Sequence, residues 1–250
     1  MEISIAAEKL FSLGSLPVTN ALLIGVLVSA LIIFVVTRVT KSRTLVPRGL
    51  QNVVEIIFEA LLDLVESVTQ DKKQARQFFP LIATIFLFVL LSNWAGLLPG
   101  LGTVGVYGEH NGHHTIIPFL RSTSADLNFT LALSLIAVFT VQFAGIAALG
   151  IVKYGKKFFI SPFHKPYGIG TAVGILELVS EIGKIISFTF RLFGNVFAGE
   201  VLLTVMLHLV PYFLPLPFMF LEVFVGFIQA VVFAMLTLVF LKMATLESEH

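Results

Sequence analysis

Followed for its apolar and polar positions, the chain separates into long apolar runs joined by short charged stretches. Val18 to Thr37 is about 20 residues and nearly all apolar, enough to cross ~30 Å of hydrocarbon as a helix. Phe78 to Leu98, closed by Pro99-Gly100, and Asn128 to Ile151 give a second and a third span. Between the first two, Leu50, Val53, Val54, Ile57, Phe58, Leu61, Leu62, Val65 and Val68 recur at helical spacing. Gln51, Asn52, Glu55, Glu59, Asp63 and Glu66 fill the other face, so residues 50–69 predict an amphipathic helix. It carries too many charges to span and belongs at the membrane surface, against a partner, or both.

The last third has a different rhythm. From Gly168 to Leu209 only tolerated glycines interrupt the helix, and Leu216 to Ala244 is similar, with Pro211, Pro215 and Pro217 marking the break. A helix over 168–209 would be roughly 63 Å long at ~1.5 Å per residue, about twice the hydrocarbon thickness. Its apolar length demands strong tilt or a break. The expected architecture is all-α and polytopic, a single membrane domain over 1–250. It has upright helices over 18–37, 78–98 and 128–151, a surface helix over 50–69, and an inclined hairpin of 168–209 and 216–244.

Composition excludes a soluble protein. Hydrophobic residues make up 57% of the chain and charged residues 12%, against about 25% in ordinary domains. Twenty-five phenylalanines and a mean hydropathy of +0.97 agree. A net charge of +1 without a long basic block gives no footing for nucleic acid. The absence of cysteine excludes disulfides, thiol chemistry and iron–sulfur ligation. Met1-Glu2-Ile3-Ser4 lacks a positively charged secretory leader, so the first apolar run reads as a retained span.

Seven of the sixteen Lys/Arg lie between Arg38 and Gln77, and Lys153, Lys156, Lys157 and Lys165 follow the third span. Residues 99–127 carry only Arg121. By the positive-inside rule the basic loops are cytoplasmic, residues 99–127 and the N-terminus are outside, and the C-terminus, with Glu247 and Glu249, is inside.

Ionisable groups inside hydrocarbon are costly and point to function. The hairpin holds Glu177, Glu181, Lys184, Arg191, Glu200 and Glu222, with Asn195, His208 and Gln229. At 100° per residue Lys184, Arg191 and Asn195 share one stripe, Glu177 lies about 40° away, and Glu200 points to the opposite face. Arg191 therefore stands between two polar zones. Its guanidinium stays charged and cannot relay a proton, whereas carboxylates such as Glu200 and Glu222 can. Two readings fit: a proton path with an obligatory interruption, or a structural ion pair between helices.

The run Phe190-Arg191-Leu192-Phe193-Gly194-Asn195-Val196-Phe197-Ala198-Gly199-Glu200 closely resembles the signature of subunit a of the F-type ATP synthase membrane sector. Ser92-Asn93-Trp94-Ala95-Gly96-Leu97-Leu98-Pro99, Pro162-Phe163, Gln229 and the acidic terminus are similar as well. The resemblance runs from about residue 40 to the end and favours proton transport. It implies that Arg191 faces a rotating ring of c subunits, pairs with their carboxylates and separates two aqueous half-channels. It makes Asn195 and Gln229 polar neighbours of that contact. Glu200, Glu222 and Asn93 would line the outer half-channel, and Glu177, Ser180 and Ser187 the inner route. The implied partners are the c ring, peripheral-stalk b-type subunits and the remaining ATP synthase subunits, in lipid. The implied place is a bacterial plasma membrane or, alternatively, an organelle inner membrane. No cofactor or metal is implied, and ATP chemistry would occur elsewhere, in keeping with the lack of a Gly-x4-Gly-Lys-Ser/Thr loop.

Many bacterial members carry a histidine where Glu222 stands and an acid where Gly96 stands. The outer path is therefore expected to rest on a Glu200/Glu222 pair sharing one proton. Glu181 and Lys184 read as a surface pair, His208 as interfacial, and His110, His113 and His114 as loop residues rather than a metal site. A haem-bearing subunit would need intramembrane histidines, and only His208, near one end of the hairpin, comes close; a secondary transporter would need internal repeats, and none is visible.

Overall fold

The computed structural model describes residues 9–13, 16–41, 48–98, 105–110, 113–118, 121–156, 169–210 and 213–246. Pro99-Gly100, Pro162-Phe163, Lys157, Lys165, Pro211, Glu247 and Glu249 lie outside them. The body is an all-α polytopic membrane bundle. Its helices are α1 (Asn20–Lys41), α2 (Leu50–Thr69), α3 (Lys72–Ala95), α4 (Leu127–Leu149), α5 (Ile151–Lys156), α6 (Ile169–Leu209) and α7 (Pro215–Thr245). Among the described residues five are long and apolar enough to cross a membrane: α1, α3, α4, α6 (from Val173) and α7.

The helix ends follow from their capping residues. At the α2–α3 corner Gln70 adopts a left-handed conformation, φ 57°, and its N–H closes on Glu66 O at 2.9 Å. Asp71 then caps α3, its Oδ1 accepting from the Lys73 N–H at 2.8 Å. That cap is why α3 begins at Lys72, earlier than the apolar pattern suggested. Pro80 sits inside the helix, where its missing N–H costs one backbone bond. Asp126 caps α4 through Asn128 N at 3.0 Å, and Gly150, at φ 82°, ends it. Pro215 and Pro217 open α7 within its first turn, where a missing N–H costs little.

Two antiparallel hairpins flank the bundle's helices in sequence, β1 (Lys9–Leu13) with β2 (Leu16–Thr19) and β3 (Gly105–His110) with β4 (His113–Pro118), the second within the stretch read as a loop. Their innermost pairs are Leu13↔Leu16 and His110↔His113. The sequence between them is Gly14-Ser15 and Asn111-Gly112, dipeptides that favour two-residue hairpin turns.

In lipid the apolar drive between helices is small, so packing and interhelical hydrogen bonds hold the bundle. The core runs through Val65, Ile82, Val89, Leu192, Leu238 and Leu241, all buried. Phe188 of α6 stacks on Phe233 of α7 with centroids 4.8 Å apart, and Phe86 of α3 meets Phe227 of α7 edge-on at 6.1 Å. Asn93 Nδ2 donates to Gly226 O at 3.1 Å and Trp94 Nε1 to Val223 O at 3.0 Å, fastening α3 to α7. Lys242 Nζ donates to Val68 O at 2.8 Å, joining the C-terminal turn of α7 to the C-terminal turn of α2, where carbonyls attract a cation. The outer faces remain apolar: Phe143 and Phe220 are 75% exposed and Phe139 is 66% exposed, as lipid contact requires.

Candidate functional site

Helical spacing sets Ser180, Lys184, Ser187, Arg191 and Asn195 along one face of α6. Arg191 is exposed on that face, and its Nη2 donates to Ser187 Oγ, one turn earlier, at 3.1 Å. Ser187 is its one polar partner among the described residues. Asn195 is exposed one turn further on, and Gln229 is half-buried on α7. Below Arg191 a groove of about 350 Å³ runs between α6 and α7, lined by Ser180, Lys184, Ser187, Arg191, Leu236 and Phe240. Lys184 Nζ lies 2.6 Å from Glu181 Oε1 and 4.7 Å from the centre of the Phe240 ring. Glu181 and Lys184 thus form an ion pair at the edge of the groove.

Near the opposite end of α6 lies a second polar zone. Glu200 is held by Arg121: Nε is 2.9 Å from Oε1 and 3.1 Å from Oε2, and Nη2 is 3.1 Å from Oε2. Glu222 of α7 is buried, with its carboxylate packed on Gly199, where a Cβ would stand 2.0 Å from Oε2. Glu200 pairs with Arg121, and among the described residues no hydrogen bond joins it to Glu222. Beside it, Ser92 Oγ, Asn93 Oδ1, Thr123 Oγ1 and Ser124 Oγ are buried without a hydrogen-bond partner among the described residues. Such orphaned groups are the ordinary hosts of ordered water.

A third cluster lies near the other end of α6, where Glu177 is half-buried. Tyr154 of α5 folds back onto Gly145 of α4, and its phenol donates to Gln142 Oε1. Burial pushes its pKa up to about 12, and the negative charges of Glu181 and Glu177 add to the shift.

Sequence reasoning missed Arg121, Trp94 and Tyr154. Arg121 had a readable signal, being the single Lys/Arg of a segment assigned to the outside. Its partner lies 79 residues away, which no local pattern conveys.

Fold and site together define a polytopic helical membrane protein with ionisable groups built into its spans. A family model described as ATP synthase A chain matches residues 20–242. The chain is 35% identical over 228 residues to ATP synthase subunit a of Campylobacter jejuni, covering 89% of this chain and 88% of that one. It is 35% identical over 227 residues to ATP synthase subunit a of Campylobacter concisus, covering 88% of each chain. With ATP synthase subunit a of Campylobacter hominis it shares 36% over 225 residues, 90% of this chain and 88% of the relative. The chain belongs to the ATP synthase subunit a family, a subunit of that complex's membrane sector.

Proposed function

We propose that this chain is the stationary, proton-translocating subunit of its ATP synthase, non-catalytic toward ATP, with two aqueous half-channels separated by Arg191. The observation that carries the reading is the placement of Arg191. A permanent cation stands on an exposed face of a membrane helix, and its polar contact within the chain is a serine hydroxyl. In hydrocarbon that arrangement costs several kcal/mol unless a partner covers it. A ring of c subunits, each presenting a carboxylate, supplies the missing counter-charge in turn as it rotates. Because a guanidinium does not release its proton, Arg191 exchanges partners without passing protons on. The exposed Asn195 and half-buried Gln229 fit as polar neighbours of the passing carboxylate.

The zone of Asn93, Glu200 and Glu222 serves as the outer half-channel, and the groove with Ser180 and Ser187, reached past Glu177, serves as the inner one. This gives a bacterial plasma-membrane protein with its N-terminus outside and C-terminus cytoplasmic, the orientation that places the basic loops inside. Peripheral-stalk b-type subunits would hold it against the turning ring. Proton flow is worth ~2.3 kcal/mol per charge per 100 mV, which drives rotation. The test is ATP-driven acidification of inverted membrane vesicles. Wild-type vesicles are expected to acidify and Arg191→Ala vesicles with normal assembly are not; equal acidification would sink the reading.

A further inference from the structure

The Arg121–Glu200 bridge carries a consequence for the outer half-channel. Both carboxylate oxygens of Glu200 accept from one guanidinium at 2.9–3.1 Å, and the Arg121 side chain is 8% exposed. A two-point contact of this kind fixes orientation as well as distance. The mount beneath it is closely packed. Ser122 Oγ donates to Ser92 O at 3.3 Å, and a Cβ on Gly96 would stand 2.9 Å from the Ser122 backbone. The buried turn Thr123–Ala125 follows and runs into the cap of α4. One residue before Glu200, Gly199 receives the carboxylate of Glu222, which has no hydrogen-bond or ion-pair partner among the described residues.

We infer that Arg121 is a positioning residue: it clamps Glu200 by both oxygens, so that Glu222 exchanges the transported proton while the neutral Arg121–Glu200 pair sets the local charge. For a proton to pass through Glu200 the two-point contact must first open; at Glu222 no such contact has to break. The inference rests on the proton-transport reading above.

The test measures ATP-driven proton pumping by the whole complex in vesicles, normalised to assembled subunit a. Arg121→Gln, Arg121→Lys, Glu200→Gln, the double variant Arg121→Gln/Glu200→Gln and Arg191→Ala are compared. Arg121→Gln is expected to pump about tenfold more slowly per assembled complex, because it strands an unpaired carboxylate. Arg121→Lys is expected to restore the rate to within about threefold of wild type, and the double variant, which strands no charge, is expected to lose no more than Glu200→Gln alone. Unchanged pumping per complex in Arg121→Gln, or losses that multiply in the double variant, would overturn the inference. Should Arg121→Gln fail to assemble, the double variant decides: a rate at or above that of Glu200→Gln supports the clamp, and a further loss of about tenfold refutes it. Arg191→Ala separates the two ideas. Pumping by that variant refutes the function itself, whereas silence there with normal Arg121→Gln refutes the clamp alone.

Discussion

Arg121 and Arg191 are the same side chain in opposite circumstances. The first is buried against both oxygens of Glu200, and the second stands exposed with a serine hydroxyl for company. A buried guanidinium with a matched carboxylate organises its surroundings; an exposed one in a membrane requires an external partner. The glycine beside Glu200 is as specific. A methyl at Gly199 would overlap the Glu222 carboxylate at 2.0–2.2 Å, so Gly199→Ala must displace that group. We expect it to cost about 1–3 kcal/mol, read as reduced assembled subunit, with the Gly199→Ala/Glu222→Ala double variant recovering most of the loss. Tyr154 gives a pH test. Its folded pKa, about 12, lies above the usual value near 10, so the protonated phenol favours the folded state. That stabilisation is complete below about pH 10 and is lost as pH rises toward 12. Phenolate absorbance should therefore show a tyrosine that resists ionisation at about pH 11 in the intact protein, a resistance lost in Tyr154→Phe.

At the level of elements, the contact between α3 and the turn before α4 has no room for change. A Cβ on Gly96 would lie 2.5 Å from Ser122 Cβ and 2.9 Å from its backbone. The acid that many family members carry at this place cannot be accommodated without moving the mount of Arg121. Gly96→Asp is expected to destabilise by about 1–3 kcal/mol, seen as lower subunit content after detergent extraction at rising temperature. The apolar runs of α1, α3, α4, α6 and α7 were readable because span length and hydropathy are local properties. The start of α3 was not, since Lys72, Lys73 and Arg76 read as a loop while Asp71 was already capping a helix. The strands of the two hairpins were not legible, because they lack the alternation that marks a half-buried sheet. At the site, residue types and the stripe of α6 were legible. The pairing of Glu200 was not, because it depends on how α4's leading turn is seated against α6.

For the whole molecule, α6 has 41 residues and α7 has 31, so at ~1.5 Å per residue they measure about 62 and 46 Å. Keeping α6 within ~30 Å of hydrocarbon demands a tilt of roughly 60° from the bilayer normal. Solid-state NMR on oriented bilayers is expected to find such an angle, and a helix within about 25° of the normal would refute the inclined hairpin. An inclined α6 would lay the stripe from Ser180 to Asn195 along the ring, with a polar zone toward either membrane surface and Arg191 between them. The claim tested most directly is that Arg191 bars protons from passing straight through. Passive proton conductance of the membrane sector, stripped of its catalytic part, should therefore be measured for wild type and Arg191→Ala at equal assembly. Conductance retained or increased in the variant, together with its loss of coupled pumping, is the predicted result. Conductance abolished in an assembled variant, or coupled pumping undiminished, would contradict the account and return Arg191 to a structural role.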